Sequence, residues 1–484
     1  MTARGRARDS LWVVAAASLV VLQLWLGRIS SGFWLDETGT WWIVKDGPAE
    51  AIHRALSWSG QSPLYYLVVW FASRILGHSD IALRIPSVLA TAGTLWFLYR
   101  LAARLIDRSA APVVCFFFVC ATSFFAIDAR PYALGLLCLT ASVWALVKWL
   151  DRNRPRDAAL YVVGAALVVY THVILSAGML AGLAYAVVRL RKQPRRLAWL
   201  VLSQAAIAVL CLPVASECLA FYATRGNHAF LPRPAAAELL PLLVPLSLAG
   251  VVILITWFGM TVFGEARIGP AFQSSTAVLI LIWALFPPSF LFLVSTRTDV
   301  HVFVERYCSS AFPGQAMVAG ALLASIRPAV IRNALIVTVA AITLMTQSKM
   351  AFPNHGNDDW RDGLAFLKQE AGNAPVLLVS PFTEGVGFDT LHDPKLREIL
   401  FAPEVRYGEP PRSIRVPHIF PAGEIPALEK ATEGIHGERR LYLIDDRPDW
   451  SYEQWLLKQH RTHCETETTG STFGYVKIAR LTCD

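Results

Sequence analysis

Two adjacent carboxylates, Asp36 and Glu37, stand in the run Phe33-Trp34-Leu35-Asp36-Glu37-Thr38. They follow an apolar stretch, Leu11 to Ile29, that is long enough to cross a bilayer, and aromatic residues that favour the lipid-water boundary (Phe33, Trp34, Trp41, Trp42) surround them. Charge after a membrane helix is ordinary, so the pair gains meaning from what recurs further along. Arg84, the run Asp128-Ala129-Arg130-Pro131-Tyr132, His172 and the run Glu305-Arg306-Tyr307 all fall at the ends of apolar segments. Singly, each has a plain reading: an arginine snorkelling to headgroups, a histidine closing a helix, an Asp128-Arg130 pair. Together they describe a cavity holding both carboxylates and guanidinium groups. A carboxylate can take the proton of a hydroxyl, and arginines bind phosphate through charge-assisted, often bidentate bonds. That combination suits transfer from a phosphorylated lipid to an alcohol at a membrane surface.

The elements that must position these groups are membrane helices. Of the 484 residues, 55% are hydrophobic and 17% charged, which is the balance of a polytopic membrane protein. The net charge of +8 is accounted for by basic residues in cytoplasmic loops, and nothing points to nucleic acid. Arg4, Arg6 and Arg8 precede the first apolar segment, which reads as an uncleaved first span and puts the Asp36-Glu37 loop outside. Ala82 to Tyr99 then returns to Arg100, Arg104 and Arg108, which leaves Leu64 to Leu76 as a juxtamembrane helix. Alternation continues through Pro112–Ile127, Tyr132–Leu150, Ala158–Thr171, Val173–Leu190, Leu197–Ala215, Leu239–Phe263, Ala277–Val294, Ala311–Ile326 and Ile331–Thr346. The total is about eleven crossings of roughly twenty residues. This orientation gathers Asp36, Glu37, Arg84, Asp128, Arg130, His172 and Arg306 on the outer side.

From about Met350 the composition changes to frequent Pro, Gly and charge. Helical periodicity at Trp360 to Glu370 and Tyr452 to His460, with short apolar runs at Val376 to Ser380, Leu441 to Ile444 and Tyr475 to Leu481, predicts a small external α/β domain. The expected division is a membrane domain over 1–348, with its first outer loop at 30–81, and a soluble domain over 349–484. Cys464 and Cys483 flank an expected terminal hairpin; a simple register does not place them opposite each other, so the sequence leaves their pairing open.

No Gly-rich phosphate loop, zinc-spaced Cys/His cluster or Ser-His-Asp pattern is present, and no cofactor or metal is expected. A lipid-linked donor is the simpler supply for an external site.

In order, Trp34-Leu35-Asp36-Glu37, Gln61-Ser62-Pro63-Leu64-Tyr65-Tyr66, the run Gly77 to Ser87 that holds Ala82-Leu83-Arg84, Asp128-Ala129-Arg130-Pro131-Tyr132-Ala133-Leu134 and Tyr170-Thr171-His172 resemble the motifs of GT-C fold polyprenyl-phosphate-dependent glycosyltransferases. The pattern is most similar to the bacterial protein O-mannosyltransferase and lipid A aminoarabinose transferase group. Asp358-Asp359-Trp360-Arg361 resembles the start of the tail domain of many bacterial members. The resemblance implies inverting transfer of a sugar from a polyprenyl-phosphate donor to an acceptor hydroxyl, on a glycolipid, polysaccharide or protein. It implies Asp36 as general base, with Glu37 orienting it or binding acceptor. Charge and topology then assign Arg84, Arg130, His172, Arg306 and Tyr307 to the donor phosphate, and Gln61, Tyr65, Asp128 and Tyr132 to substrate. The position of Gln61 is acidic in the aminoarabinose transferases, so their metal role does not transfer. A bacterial inner-membrane location with a periplasmic tail domain is the matching expectation.

The same basic cavity would serve a transporter or flippase of lipid-linked sugars, although no internal repeat or discontinuous helix pair supports one. Other lipid-phosphate group transfers would need a nucleophile or metal cluster that the sequence does not offer. A non-catalytic envelope protein is the third alternative.

Overall fold

The computed structural model describes residues 3–57, 62–123, 125–215, 219, 233–244, 248–266, 274–351, 359–394, 396–419, 423–435, 438–446, 451–460, 464–469 and 472–483. Gln61 lies outside them. Contacts divide the chain into two compact units, one of residues 1–26 and 47–349, the other of residues 27–46 and 350–484.

The first unit is helical throughout. Numbered in chain order, with α2, Leu35–Val44, belonging to the second unit, its helices are α1 Ala3–Val20, continued by a π-helical turn Val21–Leu26, then α3 Pro48–Ser57, α4 Pro63–Leu76, α5 Asp80–Leu105, α6 Ala110–Ala121, α7 Tyr132–Arg152 and α8 Pro155–Thr171. They continue with α9 Met179–Leu190, α10 Pro194–Cys211, α11 Ala236–Leu243, α12 Leu248–Val262, α13 Ser274–Arg297, α14 Phe312–Ser325 and α15 Ala329–Ala351. Among the described residues, six segments have the length and apolarity to cross a membrane, including Asp80–Leu105, Tyr132–Arg152 and Ser274–Arg297. The chain is a multi-pass membrane protein.

Local chemistry sets the helix ends. Prolines open α4, α8 and α10, where the missing N–H costs nothing. The Ser79 hydroxyl caps α5 by accepting the Ala82 N–H at 3.2 Å, and Asn153, in the left-handed region at φ 52°, closes α7. At the end assigned to the cytoplasm, Asp151 holds Arg104 and Arg189, and Arg196 donates to the Leu150 carbonyl at 2.7 Å.

Two expected spans differ. Pro112–Ile127 is helical only to Ala121, because Thr122 and Ser123 turn their hydroxyls back onto the Phe118 and Cys120 carbonyls and end the helix. Leu239–Phe263 is represented by two helices, α11 and α12, rather than one. Leu64 to Leu76 forms the fourteen-residue α4, closed by Gly77 at φ 85°.

The second unit is built on a five-stranded mixed sheet of order β2-β1-β3-β5-β4, with β1 Val376–Val379, β2 Ser413–Val416, β3 Arg440–Asp445, β4 Cys464–Thr468 and β5 Lys477–Cys483. β1 runs parallel to both β2 and β3, while β5 is antiparallel to β3 and β4. β1 is buried along its length, as a central parallel strand should be. Helices α16 Trp360–Ala371, α17 Gly387–His392, α18 Ala402–Tyr407, α19 Ile425–Ala431 and α20 Ser451–His460 complete it. The hairpin register differs from expectation: β4 sets Cys464 directly across from Cys483, and Cys483 is disulfide-bonded. Both cysteines sit at matching ends of a long hairpin, not at staggered positions.

One helix of this unit comes from the other end of the chain. α2, Leu35–Val44, packs on α18. Its lead-in is fastened at three points: Arg361 donates to the Ser30 carbonyl at 3.0 Å, the Asp359 carboxylate accepts the Gly32 N–H, and the Tyr407 hydroxyl accepts the Phe33 N–H at 2.9 Å. Only glycine fits at position 32, since a Cβ there would collide with the Asp359 carboxylate.

Candidate active site

In the membrane unit, three aromatic rings and two guanidinium groups converge. The segment between α6 and α7 is held by Thr91, whose hydroxyl donates to the Ala126 carbonyl at 2.8 Å, and by a tight turn in which the Arg130 N–H meets the Asp128 carbonyl at 2.6 Å. This brings Arg130 and Tyr132 to the start of α7, with the Arg130 guanidinium carbon 6.0 Å from the Tyr132 ring centre. His172 ends α8 in extended backbone, and its carbonyl starts the 3-10 turn Val173–Gly178 that leads into α9. Arg306 and Tyr307 open a second 3-10 turn, Tyr307–Ala311, ahead of α14. The two turns pack together because Gly178 has no side chain to strike Ser310.

The His172 ring stacks on Tyr132 at 5.4 Å between centroids and 29° between planes, and leans on Tyr307 at 5.6 Å. Tyr132 and Tyr307 stand 6.4 Å apart, and the Arg306 guanidinium carbon lies 5.7 Å from the Tyr307 ring centre. His172 is 1% exposed, and among the described residues neither of its ring nitrogens has a hydrogen-bond partner. Burial first, then the positive charges of Arg130 and Arg306, push its pKa down to about 3, so the imidazole stays neutral near pH 7. A neutral imidazole has one N–H to donate and one nitrogen lone pair to accept. Burying such a group unsatisfied costs about 1–3 kcal/mol, which a ligand bearing an acceptor oxygen would recover.

The other expected residues are placed as follows. Arg84 is buried on the first turns of α5, one turn before Ser87. Tyr65 is fully buried and its hydroxyl pairs with Ser87 at 2.9 Å; the Ser87 hydroxyl in turn reaches the Arg130 carbonyl at 3.5 Å. Tyr65 therefore braces the segment that carries Arg130. Asp128 is buried in the same turn. Phe125 was not foreseen, yet its ring meets both Tyr132 and Phe312 at 6.0 Å and backs the cluster.

In the second unit, Asp36 is half-buried in the first turn of α2, where a carboxylate is favoured by the helix dipole. Glu37 is fully buried and accepts the Trp34 N–H at 3.4 Å, an N-terminal cap for the same helix. Among residues that sequence reasoning missed, Arg406 lies 4.5 Å from the Phe33 ring centre and 5.2 Å from that of Trp41, and Glu398 accepts from Trp42 and Lys45. No signal in the sequence links them to α2. Among the described residues, no group of three or more His, Cys, Asp or Glu side chains is arranged to hold a metal ion.

The fold is similar to that of solved structures. The crystal structure of ArnT from Cupriavidus metallidurans bound to undecaprenyl phosphate superposes with a TM-score of 0.55 at 11% identity, covering 99% of this chain and 98% of that one. The chain has the GT-C fold. The apo structure of the same ArnT gives 0.54 at 10% identity over 97% of both chains. The Archaeoglobus fulgidus oligosaccharyltransferase complex with Zn and sulfate gives 0.50 at 13%, covering 90% of this chain and 68% of that one. The family model for dolichyl-phosphate-mannose-protein mannosyltransferase matches residues 60–216. That range of the GT-C chain holds Arg84, Arg130, Tyr132 and His172, while Asp36, Glu37, Arg306 and Tyr307 fall outside it. No curated protein matches in sequence.

Proposed function

We propose that this protein is a membrane glycosyltransferase that moves a sugar from a polyprenyl-phosphate-linked donor to an acceptor hydroxyl, with inversion, at the outer face of a bacterial inner membrane. The observation that carries the reading is the buried His172, neutral and unpartnered, set against Tyr132 and Tyr307 and under the field of Arg130 and Arg306. The mannosyltransferase family match and the undecaprenyl phosphate held by the ArnT structure support a lipid phosphate as the ligand.

The donor is a phosphodiester with one negative charge, and the leaving lipid phosphate gains a second as the glycosidic bond breaks. Guanidinium groups fixed before the reaction bind that developing charge more strongly than the donor's, and only such differential binding accelerates the step. The His172 N–H adds a neutral donor without adding charge. On the acceptor side, the resemblance gives Asp36 the role of base: it takes the hydroxyl proton while the oxygen attacks the anomeric carbon opposite the phosphate. The acceptor is a glycolipid, polysaccharide or protein, and the tail domain stands in the periplasm.

The test compares envelope glycolipids and glycoproteins by mass spectrometry in cells with the wild-type protein, with none, and with Asp36→Asn or Arg130→Gln at matched expression. Loss of one sugar mass in the null and both variants, with unmodified acceptor accumulating, is the expected result. If only the null loses it, Asp36 is not the base and transport of a lipid-linked sugar becomes the leading account.

A further inference from the structure

At the ends of α5 and α7 that lie away from Arg84 and Tyr132, a guanidinium is seated between two indole rings. Gly93 lets α5 approach α7 closely, since a Cβ there would stand 2.8 Å from the Leu137 side chain. Two turns further along each helix, Arg100 of α5 meets Trp144 of α7, so the pair runs side by side in one direction. The Arg100 guanidinium carbon lies 5.3 Å from the Trp144 ring centre and 5.4 Å from that of Trp96, one turn back on α5. Contacts of this kind fix a guanidinium and leave its N–H groups free to donate. Among the described residues, Arg100 donates no hydrogen bond and has no carboxylate within ion-pair distance. Asp151, at the end of α7, is already shared by Arg104 at 2.6 Å and Arg189 at 3.2 Å. Positive charge is therefore in excess at this end.

We propose that Arg100, Trp96 and Trp144 bind the phosphate of an anionic phospholipid, one of whose acyl chains lies along α5. The track for that chain is on the surface: Trp96 is 58% exposed, and Leu89, two turns back on the same face, is 65% exposed. From Leu89 to Arg100 the helix rises about 16 Å, close to half of a hydrocarbon core about 30 Å thick. A free phosphate ion would use the guanidinium alone, whereas a lipid matches the guanidinium and the apolar stripe together. The excess positive charge repels a choline or ethanolamine group, so an anionic headgroup fits better than a zwitterionic one.

An arginine that only snorkels hangs on one flexible stem and meets whatever headgroup is near. Arg100 is held by rings from two helices, so its fork has a fixed place before a lipid arrives, and binding costs less ordering. The bound lipid ties α5 to α7, the helices that carry Arg84 and Tyr132 at their other ends. The site stands whether or not the outer cavity transfers a sugar.

Native mass spectrometry of the detergent-solubilised full-length protein, titrated separately with phosphatidylglycerol and phosphatidylcholine, reads the site. The wild type should hold one phosphatidylglycerol more tightly than phosphatidylcholine, and Arg100→Gln should weaken phosphatidylglycerol by about tenfold. Trp144→Leu keeps every charge and should weaken it about threefold through loss of one ring. Arg108→Gln removes an equal charge from the loop after α5, where no ring contact is made, and should leave the affinity unchanged. Equal losses in Arg100→Gln and Arg108→Gln would mean a general attraction of charge and overturn the proposal, as would equal retention of the two lipids. Should Arg100→Gln not fold, an unchanged affinity in Trp144→Leu is equally fatal. Displacement of the lipid by millimolar inorganic phosphate would overturn the lipid as the occupant.

Discussion

The Tyr407 hydroxyl accepts the backbone N–H of Phe33 at 2.9 Å, joining residues 374 apart in sequence. That bond, with the Arg406 guanidinium over the Phe33 and Trp41 rings, makes the lead-in to α2 part of the tail domain's own structure. Tyr407→Phe removes this hydrogen bond, so it should cost about 1 kcal/mol of local stability or more. Hydrogen exchange over residues 30–45 should speed by roughly fivefold, since opening tracks that free energy. Arg406→Ala, which also loses the stacking over two rings, should open the segment further.

Arg130 is buried and Arg306 half-buried, and each should matter to donor binding. Charge-assisted bonds to phosphate are worth about 1.5–3 kcal/mol, so Arg130→Gln or Arg306→Gln should weaken binding of undecaprenyl phosphate by roughly tenfold or more. Titration calorimetry in nanodiscs measures this. Lysine should restore only part of the loss, because a point charge does not reproduce the planar fork that lies beside each tyrosine ring.

His172 should remain neutral at pH 5, well below the usual histidine value. Its lowered pKa means that the folded state resists the proton which the unfolded chain accepts below about 6.5. The contribution to stability is thus present above that pH and lost as pH falls toward 3. 15N-histidine NMR of the full-length protein at pH 5 should show one neutral imidazole that is absent in His172→Gln. A His172 signal that titrates between pH 6 and 7 would contradict the site as described.

Glu404 on α18 carries the opposite sign. It is 1% exposed, neither carboxyl oxygen has a hydrogen-bond partner among the described residues, and its pKa is pushed up to about 8, chiefly by burial. The folded state therefore holds a proton that the unfolded chain gives up above about 4.5. Stability is full below that pH and declines as pH rises through 8, by a total on the order of 4 kcal/mol. Glu404→Gln should abolish the decline, so a thermal melt at pH 8.5 should show its tail domain more stable than the wild type, with little difference at pH 4.5.

Much of the membrane unit was legible because long apolar runs and basic residues at their ends obey simple solvent rules. The same rules put Arg130, Tyr132, His172, Arg306 and Tyr307 at span ends, and the structure brings these five together. Composition did not show that Tyr65 is spent on Ser87, since a tyrosine hydroxyl reads alike whether it meets protein or substrate. In the tail, β1, β3 and β5 were visible as apolar runs; β2, Ser413–Val416, was not, because its alternating Ser and Arg look like a loop. The placement of α2 on α18 was out of reach, because nothing local in either segment announces a partner more than 350 residues away.

The borrowing of α2 by the tail domain also sets an order of events during synthesis. Residues 27–46 leave the ribosome long before Asp359, Glu398, Arg406 and Tyr407 exist to receive them. At a translation rate of about 5–20 residues per second, the acidic helix waits on the order of half a minute for its partners. Through that interval the arginines of the membrane unit are already in the bilayer while Asp36 has no seat. The first loop therefore finds its seat only after the whole membrane unit has been made, when Asp359, Glu398, Arg406 and Tyr407 have been added.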